Sequence, residues 1–259
     1  MSLPGGDVDH LDPSELGTKE YWNALYTREL TNHASDANDI GTVWFDDSDA
    51  EAKMIAFLNR LADESTDGHT GAPSRSEASL LDLGCGNGSM LFSLREQGWS
   101  GPALGVDYSP QSVQLARQVC AAKSRDHDSP DDKTRPVRFA EWDIMTGPLE
   151  AVLPGPGRAW DVVLDKGTFD AVSLSGERTD AGRRICEVYP ERVLPLVREG
   201  GLFLITSCNW TEDELTAWFA GPRGHDGGRF VPAGRIEYRT FSFGGVKGQT
   251  ISTLCFRKT

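Results

Sequence analysis

Short apolar runs alternate with helical segments through the middle of the chain, and this alternation limits the possible folds most strongly. The predicted strands are 78–83, 103–108, 137–143, 160–165 and 201–208, and the predicted helices are 89–98, 110–123 and 185–200. Such alternation is typical of a parallel sheet with helices on both faces. Near the C-terminus, 236–243 and 249–258 flank a glycine-rich turn and predict an antiparallel hairpin. The sequence therefore predicts an α/β fold with a mostly parallel sheet.

Four polar segments interrupt this pattern and are predicted to be surface loops. They are 62–79, 123–136, 154–158 and 221–229. With 259 residues, of which 38% are hydrophobic, the chain is long enough for one α/β domain and short for two. We therefore expect a single domain over residues 1–259.

Composition narrows the classes of function. No run approaches ~18 consecutive apolar residues, and the acidic N-terminus does not resemble a signal peptide, so we expect a soluble protein with no membrane partner. The five cysteines have no metal-ligand spacing and suggest free thiols in a reducing compartment, without a metal site. We expect the protein to be located in the cytoplasm, and a nuclear location stays open. A formal net charge of -13 argues against nucleic-acid binding; it favours a basic partner or serves solubility alone.

Three glycines at alternate positions follow the first predicted strand. In DLGCGNG, residues 82–88, Asp82 precedes Gly84, Gly86 and Gly88. Such a turn lets a ligand approach bare backbone at the N-terminus of the next helix, although glycines can also serve only to close a turn. The spacing GxGxG differs from the dinucleotide fingerprint GxGxxG. A different adenosine-containing ligand is therefore indicated.

Acidic residues stand at the ends of the next predicted strands. Asp107, followed by Tyr108, is placed to accept hydrogen bonds from ribose hydroxyls, or to cap the next helix. Asp143 is placed to bond an adenine amino group while Ile144 packs on the ring, or it only terminates its strand. Asp165 ends the fourth strand, at the edge where such sheets hold the reacting part of a ligand.

These motifs resemble those of the seven-stranded S-adenosylmethionine-dependent methyltransferases, in DLGCGNG, GVDYS and EWDIM. Three longer segments are DKGTFDAVSLS (165–175), SCNWTEDEL (207–215) and LGTKEYWNALYTRELTNHASDANDIGTVWF (16–45). More narrowly, they resemble the elongation factor methyltransferase 4 family, whose members are protein-lysine methyltransferases of translation elongation factor 1-alpha. The resemblance covers nearly the whole chain outside the polar loops. One position departs from it, since Thr42 stands where that family usually has a glutamate after the glycine of GxxWF.

The resemblance implies a Rossmann-like seven-stranded fold, an N-terminal helical cap at 16–61, S-adenosylmethionine as cofactor, and a monomer that acts on elongation factor 1-alpha. The implied cofactor-binding residues are Trp22, Tyr26, Asp82, Gly84, Gly86, Gly88, Asp107, Tyr108, Asp143, Ile144 and Asp165. The implied catalytic residues are Asp165 and Trp210.

Several side chains of this set have more than one interpretation. Asp165 could orient or deprotonate a substrate amine, or bond backbone amides of its own loop. Lys166 is expected to face away from a cationic substrate or to pair with an acid such as Asp170. If residues 19–30 are helical, Trp22 and Tyr26 share a face that closes over the cofactor or packs in the core. Trp210 is the preferred residue for a substrate channel.

Three other functions compete with protein-lysine methylation. A nucleic-acid amino methyltransferase would carry an Asp/Asn-Pro-Pro-aromatic loop where this sequence has DKGT, which weakens that hypothesis. A small-molecule N- or O-methyltransferase remains an alternative because loops determine the pocket size. A non-catalytic cofactor-binding scaffold would show a damaged cofactor motif, and the expected positions are intact.

Overall fold

The computed structural model describes residues 10–64, 71–126, 136–221, 228–239, 241–243, 246–248 and 250–259. The strands are β1 Leu80–Leu83, β2 Ala103–Asp107, β3 Arg138–Glu141, β4 Trp160–Lys166, β5 Val197–Ser207, β6 Phe230–Ile236, β7 Phe241–Phe243, β8 Val246–Gly248 and β9 Ser252–Lys258. The helices are α1 Lys19–Ser35, α2 Ala50–Glu64, α3 Ser89–Glu96, α4 Pro110–Asp126, α5 Thr168–Ser173, α6 Tyr189–Val193 and α7 Glu212–Ala220.

A seven-stranded sheet in the order β3-β2-β1-β4-β5-β9-β6 forms the centre of the fold. The strands β3, β2, β1, β4 and β5 are parallel, whereas β9 runs antiparallel to both β5 and β6. This confirms the predicted mostly parallel α/β sheet with antiparallel strands at its C-terminal end. The strand order reverses between β1 and β4, and ligands of open α/β sheets bind at the carboxyl ends of the strands at such a point.

Apolar side chains cover both faces of this sheet. Along β5, Leu202 and Leu204 belong to one buried cluster, with α2, α3 and α4, while Phe203 and Ile205 belong to the other, with α6 and α7. The side chains alternate because successive residues of a strand point to opposite faces. Each buried side chain of this size contributes about 1.5–3 kcal/mol relative to an exposed one. The two clusters hold the strand ends, and hence the loops after them, in fixed positions.

Only the middle of the predicted helix at 185–200 is α-helical. A single turn of 3-10 helix at Ile185–Glu187 leads into α6, another at Leu194–Leu196 follows it, and β5 already begins at Val197. Proline has no backbone N–H and disrupts a helix interior, so Pro195 prevents α6 from continuing. Of the apolar residues 193–197, only Val197 belongs to β5, because the residues before it end α6 and form the second 3-10 turn.

The predicted C-terminal hairpin has different partners from those expected. The strand β9, within predicted segment 249–258, pairs with β6, which ends at Ile236. Most of predicted segment 236–243 lies beyond β6, and its last residues form β7, which pairs with β8 in a separate two-stranded sheet. Residues 240, 244, 245 and 249 lie outside the described residues, as do 1–9 and the segments 65–70, 127–135 and 222–227 of the polar loops.

Two helices, α1 and α2, occupy the N-terminal segment that was expected to be a helical cap. The hydroxyl of Thr18 caps α1 by accepting a hydrogen bond from the backbone N–H of Tyr21 at 3.3 Å. In α2, Met54 and Leu58 are fully buried in the core on one face of the sheet. Within the described ranges, no helix is both long and apolar enough to cross a membrane.

Candidate active site

A cavity of about 570 Å³ opens at the carboxyl ends of the parallel strands. Its walls come from the loops after β1, β2, β3, β4 and β5 and from the N-terminal segment. The predicted site residues that line it are Trp22, Tyr26, Gly84, Asp107, Tyr108, Asp143 and Ile144. The structure thus brings most of the predicted cofactor residues to one place. Gly88, Asp165 and Trp210 do not line this cavity, whereas Asp82 and Gly86 line a smaller one beside it.

Close neighbours explain the glycines of the turn after β1. A Cβ atom added at Gly84 would lie 2.1 Å from the hydroxyl of Thr168, and one at Gly86 would lie 2.8 Å from that of Tyr26. Gly84, Gly86 and Gly88 all have positive φ, of 61°, 56° and 83°. Side chains strongly disfavour this backbone region. The bare turn therefore lets α1 and α5 approach the cavity floor, and its backbone at Gly84 faces the cavity.

Asp107 is held at the end of β2 by three donors. Its Oδ2 accepts hydrogen bonds from the backbone N–H of Gly86 at 3.2 Å and from the hydroxyl of Ser112 at 2.8 Å. Its Oδ1 accepts one from the backbone N–H of Ser109 at 2.9 Å, as a capping residue would. Burial raises the pKa of Asp107, although these three hydrogen bonds oppose the rise. The fixed carboxylate joins the glycine turn to the cavity wall.

Asp143 shapes the loop after β3. Its Oδ1 accepts a hydrogen bond from the backbone N–H of Met145, and its Oδ2 accepts one from the hydroxyl of Thr146, both at 2.8 Å. These bonds turn the chain so that Ile144 and Met145 form an apolar part of the cavity wall. Because a carboxylate has about four lone-pair positions, Asp143 can still accept a further hydrogen bond from a ligand.

Asp165 lies behind the cavity wall instead of facing a ligand. Its side chain is fully buried and accepts hydrogen bonds from the backbone N–H groups of Thr168 at 2.8 Å and Phe169 at 3.1 Å, and from the hydroxyl of Tyr189 at 2.7 Å. Burial raises its pKa to about 7. The geometry corresponds to the second interpretation, in which Asp165 stabilises its own loop and α5. We correct its predicted contacts with cofactor and substrate accordingly.

Trp210 belongs to the core and not to a substrate channel. It is 4% exposed, its indole N–H donates to the hydroxyl of Ser173 at 3.1 Å, and its ring packs 5.6 Å from that of Trp218. The hydroxyl of Ser207 accepts hydrogen bonds from the backbone N–H groups of residues 209 and 210, and this turn directs Trp210 inward. The residues after β5 that line the cavity are Cys208 and Asn209. Sequence reasoning missed both.

Aromatic side chains from the N-terminal segment cover one side of the cavity. The rings of Trp22 and Trp44 meet edge to face with 5.3 Å between centroids, and those of Trp22 and Tyr26 stack at 6.4 Å. Trp22 is fixed by a hydrogen bond from its indole N–H to the carbonyl of Leu16 at 2.8 Å. The predicted shared face of Trp22 and Tyr26 is confirmed, and Phe45 also lines the cavity.

Lys166 pairs with a partner other than the one expected. Its Nζ lies 4.0 Å from an oxygen of Glu51 on α2 and donates to the carbonyl of Trp44 at 3.0 Å. Burial lowers the pKa of Lys166, and the charge of Glu51 opposes that effect. The expected partner, Asp170, instead accepts hydrogen bonds from Ser207 and Cys208. No local pattern points to Glu51 as a partner of Lys166, because the two residues are distant along the chain.

A small cavity of about 30 Å³ lies beside the main one, between α1, the glycine turn and residues 42–44. Asp82 lines it and is 3% exposed. Burial raises the pKa of Asp82 to about 8, while the charge of Lys166 opposes this rise. The predicted cofactor residue Asp82 therefore faces a space next to the main cavity.

The segment 40–45 is joined to the glycine turn by polar contacts. The side-chain amide of Asn87 donates to the carbonyls of Ile40 at 2.9 Å and Thr42 at 3.3 Å. The hydroxyl of Thr42, at the position that departs from the family pattern, donates to the carboxylate of buried Glu29 at 2.8 Å. Thr42 thus supplies a donor to an acid that α1 buries.

Comparison with known proteins identifies the family. A methyltransferase domain family matches residues 74–225. Protein-lysine N-methyltransferase EFM4 of Saccharomyces cerevisiae is 40% identical over 96% of each chain. EEF1A lysine methyltransferase 2 of Homo sapiens is 31% identical over 96% of this chain and 89% of its own. The chain belongs to this family of protein-lysine N-methyltransferases.

Solved structures share the fold of this methyltransferase. Magnesium protoporphyrin IX methyltransferase (ChlM) of Synechocystis PCC 6803, with bound SAM, aligns over 95% of this chain and 98% of its own, with a TM-score of 0.53 and 16% identity. N-methyltransferase NodS of Bradyrhizobium japonicum aligns over 91% and 97%, with a TM-score of 0.51 and 14% identity. Identities this low show the fold alone.

S-adenosylmethionine is the cofactor of this methyltransferase, and the residues present fit it. The glycine turn leaves backbone bare where any Cβ would meet a neighbour, and a fixed carboxylate stands at the end of β2. The cavity volume lies within the range of about 300–1,000 Å³ for small-molecule sites. The cofactor supplies an electrophilic methyl group, so the chain needs only to bind, orient and exclude water. Among the described residues, no His, Cys, Asp or Glu cluster could hold a metal ion.

Proposed function

We propose that this methyltransferase transfers methyl groups from S-adenosylmethionine to a lysine of translation elongation factor 1-alpha. The observation that carries the proposal is the similarity to relatives named for lysine methylation, which extends over 96% of the chain and includes the N-terminal segment. That segment contributes Trp22, Tyr26, Trp44 and Phe45 to the cavity wall. A methyltransferase domain alone would not account for these residues, because the family model begins at residue 74.

We assign the parts of the cofactor to cavity residues as follows. Asp107 accepts hydrogen bonds from the ribose hydroxyls, while Asp143 and Ile144 hold the adenine. Trp22 and Tyr26 cover the cofactor from α1, and their ring faces favour the positive sulfonium. Tyr108 and the backbone of Gly84 complete this part of the wall. The support for these assignments is that all seven residues line one cavity.

The target amine enters the remaining space between β4, β5 and the aromatic wall. A lysine side chain has a reference pKa of about 10.4, so it arrives protonated at neutral pH and must lose a proton before it attacks. Aromatic walls remove water from the ammonium group and thereby lower its pKa. The acidic character of the chain, with a formal net charge of -13, favours approach of a basic protein substrate.

The proposal extends to the state and location of the protein. We infer a monomer that works in the cytoplasm, with the nucleus as a second compartment to examine, and that binds neither nucleic acid nor membranes directly. Light scattering during size-exclusion chromatography measures the oligomeric state. A fluorescent fusion followed through cell fractionation measures the location.

A methyl-transfer assay tests the proposed substrate. Purified protein is incubated with tritiated S-adenosylmethionine and elongation factor 1-alpha, with RNA, free nucleotides and a methylation-deficient lysate as parallel acceptors. We expect label on a lysine of the elongation factor and none with Asp107→Ala, which removes the proposed ribose acceptor. Label only on a small molecule would support the small-molecule methyltransferase instead. Cofactor binding without transfer to any acceptor would favour a non-catalytic scaffold.

A further inference from the structure

One buried acidic residue belongs to the cavity wall on the side of β4 and β5. Asp170 lies in the first turn of α5, lines the cavity and is 6% exposed. The other acids that line the cavity, within the described residues, lie elsewhere. Asp107 ends β2 and Asp143 follows β3, while Glu177 and Asp180 are exposed. Asp170 is therefore the cavity acid best placed to meet a group that enters beside the aromatic wall.

The end of β5 fixes the orientation of Asp170. Its Oδ1 accepts a hydrogen bond from the hydroxyl of Ser207, and its Oδ2 accepts one from the backbone N–H of Cys208 at 2.9 Å. The thiol of Cys208 and the backbone N–H of Asn209 also approach this carboxylate. A carboxylate has about four lone-pair positions, so a cation that binds takes the place of the weakly donating thiol. A carboxylate held in this way needs no reorganisation when a cation arrives.

Neighbouring charges leave Asp170 available for a cation. Lys166, which also lines the cavity, directs its ammonium to the carbonyl of Trp44 and towards Glu51. The carboxylate of Asp165, five residues earlier, already accepts hydrogen bonds from Thr168, Phe169 and Tyr189.

The titratable groups that face Asp170 are Asp165 from β4, Tyr189 from α6 and Cys208 from the loop after β5. The negative charge of Asp170 raises the pKa of each of them. Two cations line the same cavity but have other neighbours: the ammonium of Lys19 lies 5.4 Å from the centre of the Tyr108 ring, and the guanidinium of Arg178 donates to the carbonyl of Gly182 at 2.7 Å.

We propose that Asp170 binds the ammonium group of the target lysine and accepts its proton. This inference rests on the proposed lysine methylation and names the residue that prepares the nucleophile. An N–H bond of the ammonium breaks, its electron pair stays on nitrogen as the lone pair of a neutral amine, and the proton moves to an oxygen of Asp170. The proton returns to solvent when the product leaves. The charges of ammonium and carboxylate cancel when the pair forms at this buried side chain.

Replacement of Asp170 by asparagine tests this role. For Asp170→Asn we expect kcat at pH 7 to fall about a hundredfold or more, which is typical of a lost general base. Affinity for S-adenosylhomocysteine, measured by calorimetry, should stay within about threefold of wild type. The loss of kcat should shrink at pH 9.5, because more of the lysine is then deprotonated by solvent. Asp213→Asn removes the same charge from an exposed position of α7 and serves as the matched control.

A second variant keeps the carboxylate and changes only its surroundings. The hydrogen bond from Ser207 lowers the pKa of Asp170, so Ser207→Ala should raise it. The acid limb of the kcat profile should therefore move to higher pH, while kcat at high pH stays near wild type. Thermal unfolding reports any damage to the turn that Ser207 supports.

Three results would overturn the inference on Asp170. One is a kcat for Asp170→Asn at pH 7 equal to that of Asp213→Asn, and another is an equal loss at pH 7 and pH 9.5. The third is an unchanged acid limb in folded Ser207→Ala. A wild-type protein that leaves elongation factor 1-alpha unlabelled would instead overturn the proposed function, and the inference with it.

Discussion

The ammonium of Lys166 donates a hydrogen bond to the backbone carbonyl of Trp44, with 3.0 Å between nitrogen and oxygen. This bond joins the end of β4 to the segment 40–45, which Asn87 joins to the glycine turn from the other side. The next residue, Phe45, has a φ of 64°, which is uncommon for a bulky side chain. A Cβ added at Gly167 would lie 3.0 Å from the ring of Phe45. The two attachments thus hold an aromatic wall in a conformation that it would not adopt alone.

We expect Lys166→Met to loosen this wall. Methionine fills similar space but leaves the carbonyl of Trp44 without its donor, which costs about 1 kcal/mol or more. Affinity for S-adenosylhomocysteine should fall about tenfold, as measured by calorimetry. Lys123→Met, which removes a solvent-exposed pair with Glu96, should leave this affinity unchanged. Wild-type affinity in Lys166→Met would show that the wall stands without the bond.

The glycine turn gives a prediction that separates backbone strain from a steric clash. Gly86→Ala forces alanine to a φ of 56° and places its Cβ 2.8 Å from the hydroxyl of Tyr26. Tyr26→Phe removes that oxygen and leaves the nearest ring carbon at 3.7 Å. In the double variant, part of the loss in melting temperature and cofactor affinity caused by Gly86→Ala should be recovered.

A matched control isolates the strain alone. Gly157 has a φ of 66°, similar to that of Gly86, but an added Cβ there has no neighbour within 4 Å. Gly157→Ala should therefore cost about 1–2 kcal/mol of unfolding free energy and leave cofactor affinity unchanged. If Tyr26→Phe gave no recovery in Gly86→Ala, strain alone would explain the effect, and close packing of Tyr26 on the turn would be refuted.

Strand ends could be read from the sequence, and side-chain directions could not. Apolar runs mark where β1, β2 and β3 end, so Asp107 and Asp143 were placed at the cavity correctly. Asp165 and Asp170 lie five residues apart, and only the turn between β4 and α5 decides which of the two residues lines the cavity. The strands β6 and β9 pair although residues 237–251 separate them along the chain. The alternating pattern of a strand shows which of its faces is buried but does not identify its partner strand.

The buried Asp82 predicts a dependence of stability on pH. Its pKa rises from 3.8 when unfolded to about 8 when folded, so the folded protein binds the extra proton between these values. Its contribution to stability is therefore present at low pH and is lost as pH rises towards 8. Asp82→Asn removes the charge, so its unfolding free energy relative to wild type should increase between pH 4.5 and pH 8. An increase on the order of 1–3 kcal/mol is reasonable for a buried polar group.

Urea titrations at the two pH values measure this difference for Asp82→Asn. Subtraction of the wild-type value removes the contribution of Asp165, whose raised pKa of about 7 gives a trend of the same sign. Asp213→Asn, at an exposed position, should show the same difference at both pH values. A difference for Asp82→Asn that did not change with pH would mean that Lys166 keeps Asp82 charged throughout.

The position of Trp210 predicts a loss of stability without a loss of chemistry. The ring packs among Phe169, Trp218 and the rest of the buried cluster, so Trp210→Ala should cost about 3–5 kcal/mol of unfolding free energy. Trp210→Phe keeps most of the packing and loses the hydrogen bond to Ser173, so it should cost less and leave kcat within about threefold of wild type. Asn209 is next to Trp210 in the chain but lies on the cavity wall, so Asn209→Ala should change the rate of methyl transfer with little effect on the free energy of unfolding. A tenfold lower kcat in a fully stable Trp210→Phe would return Trp210 to the substrate channel, because packing in the core gives it no contact with the target amine.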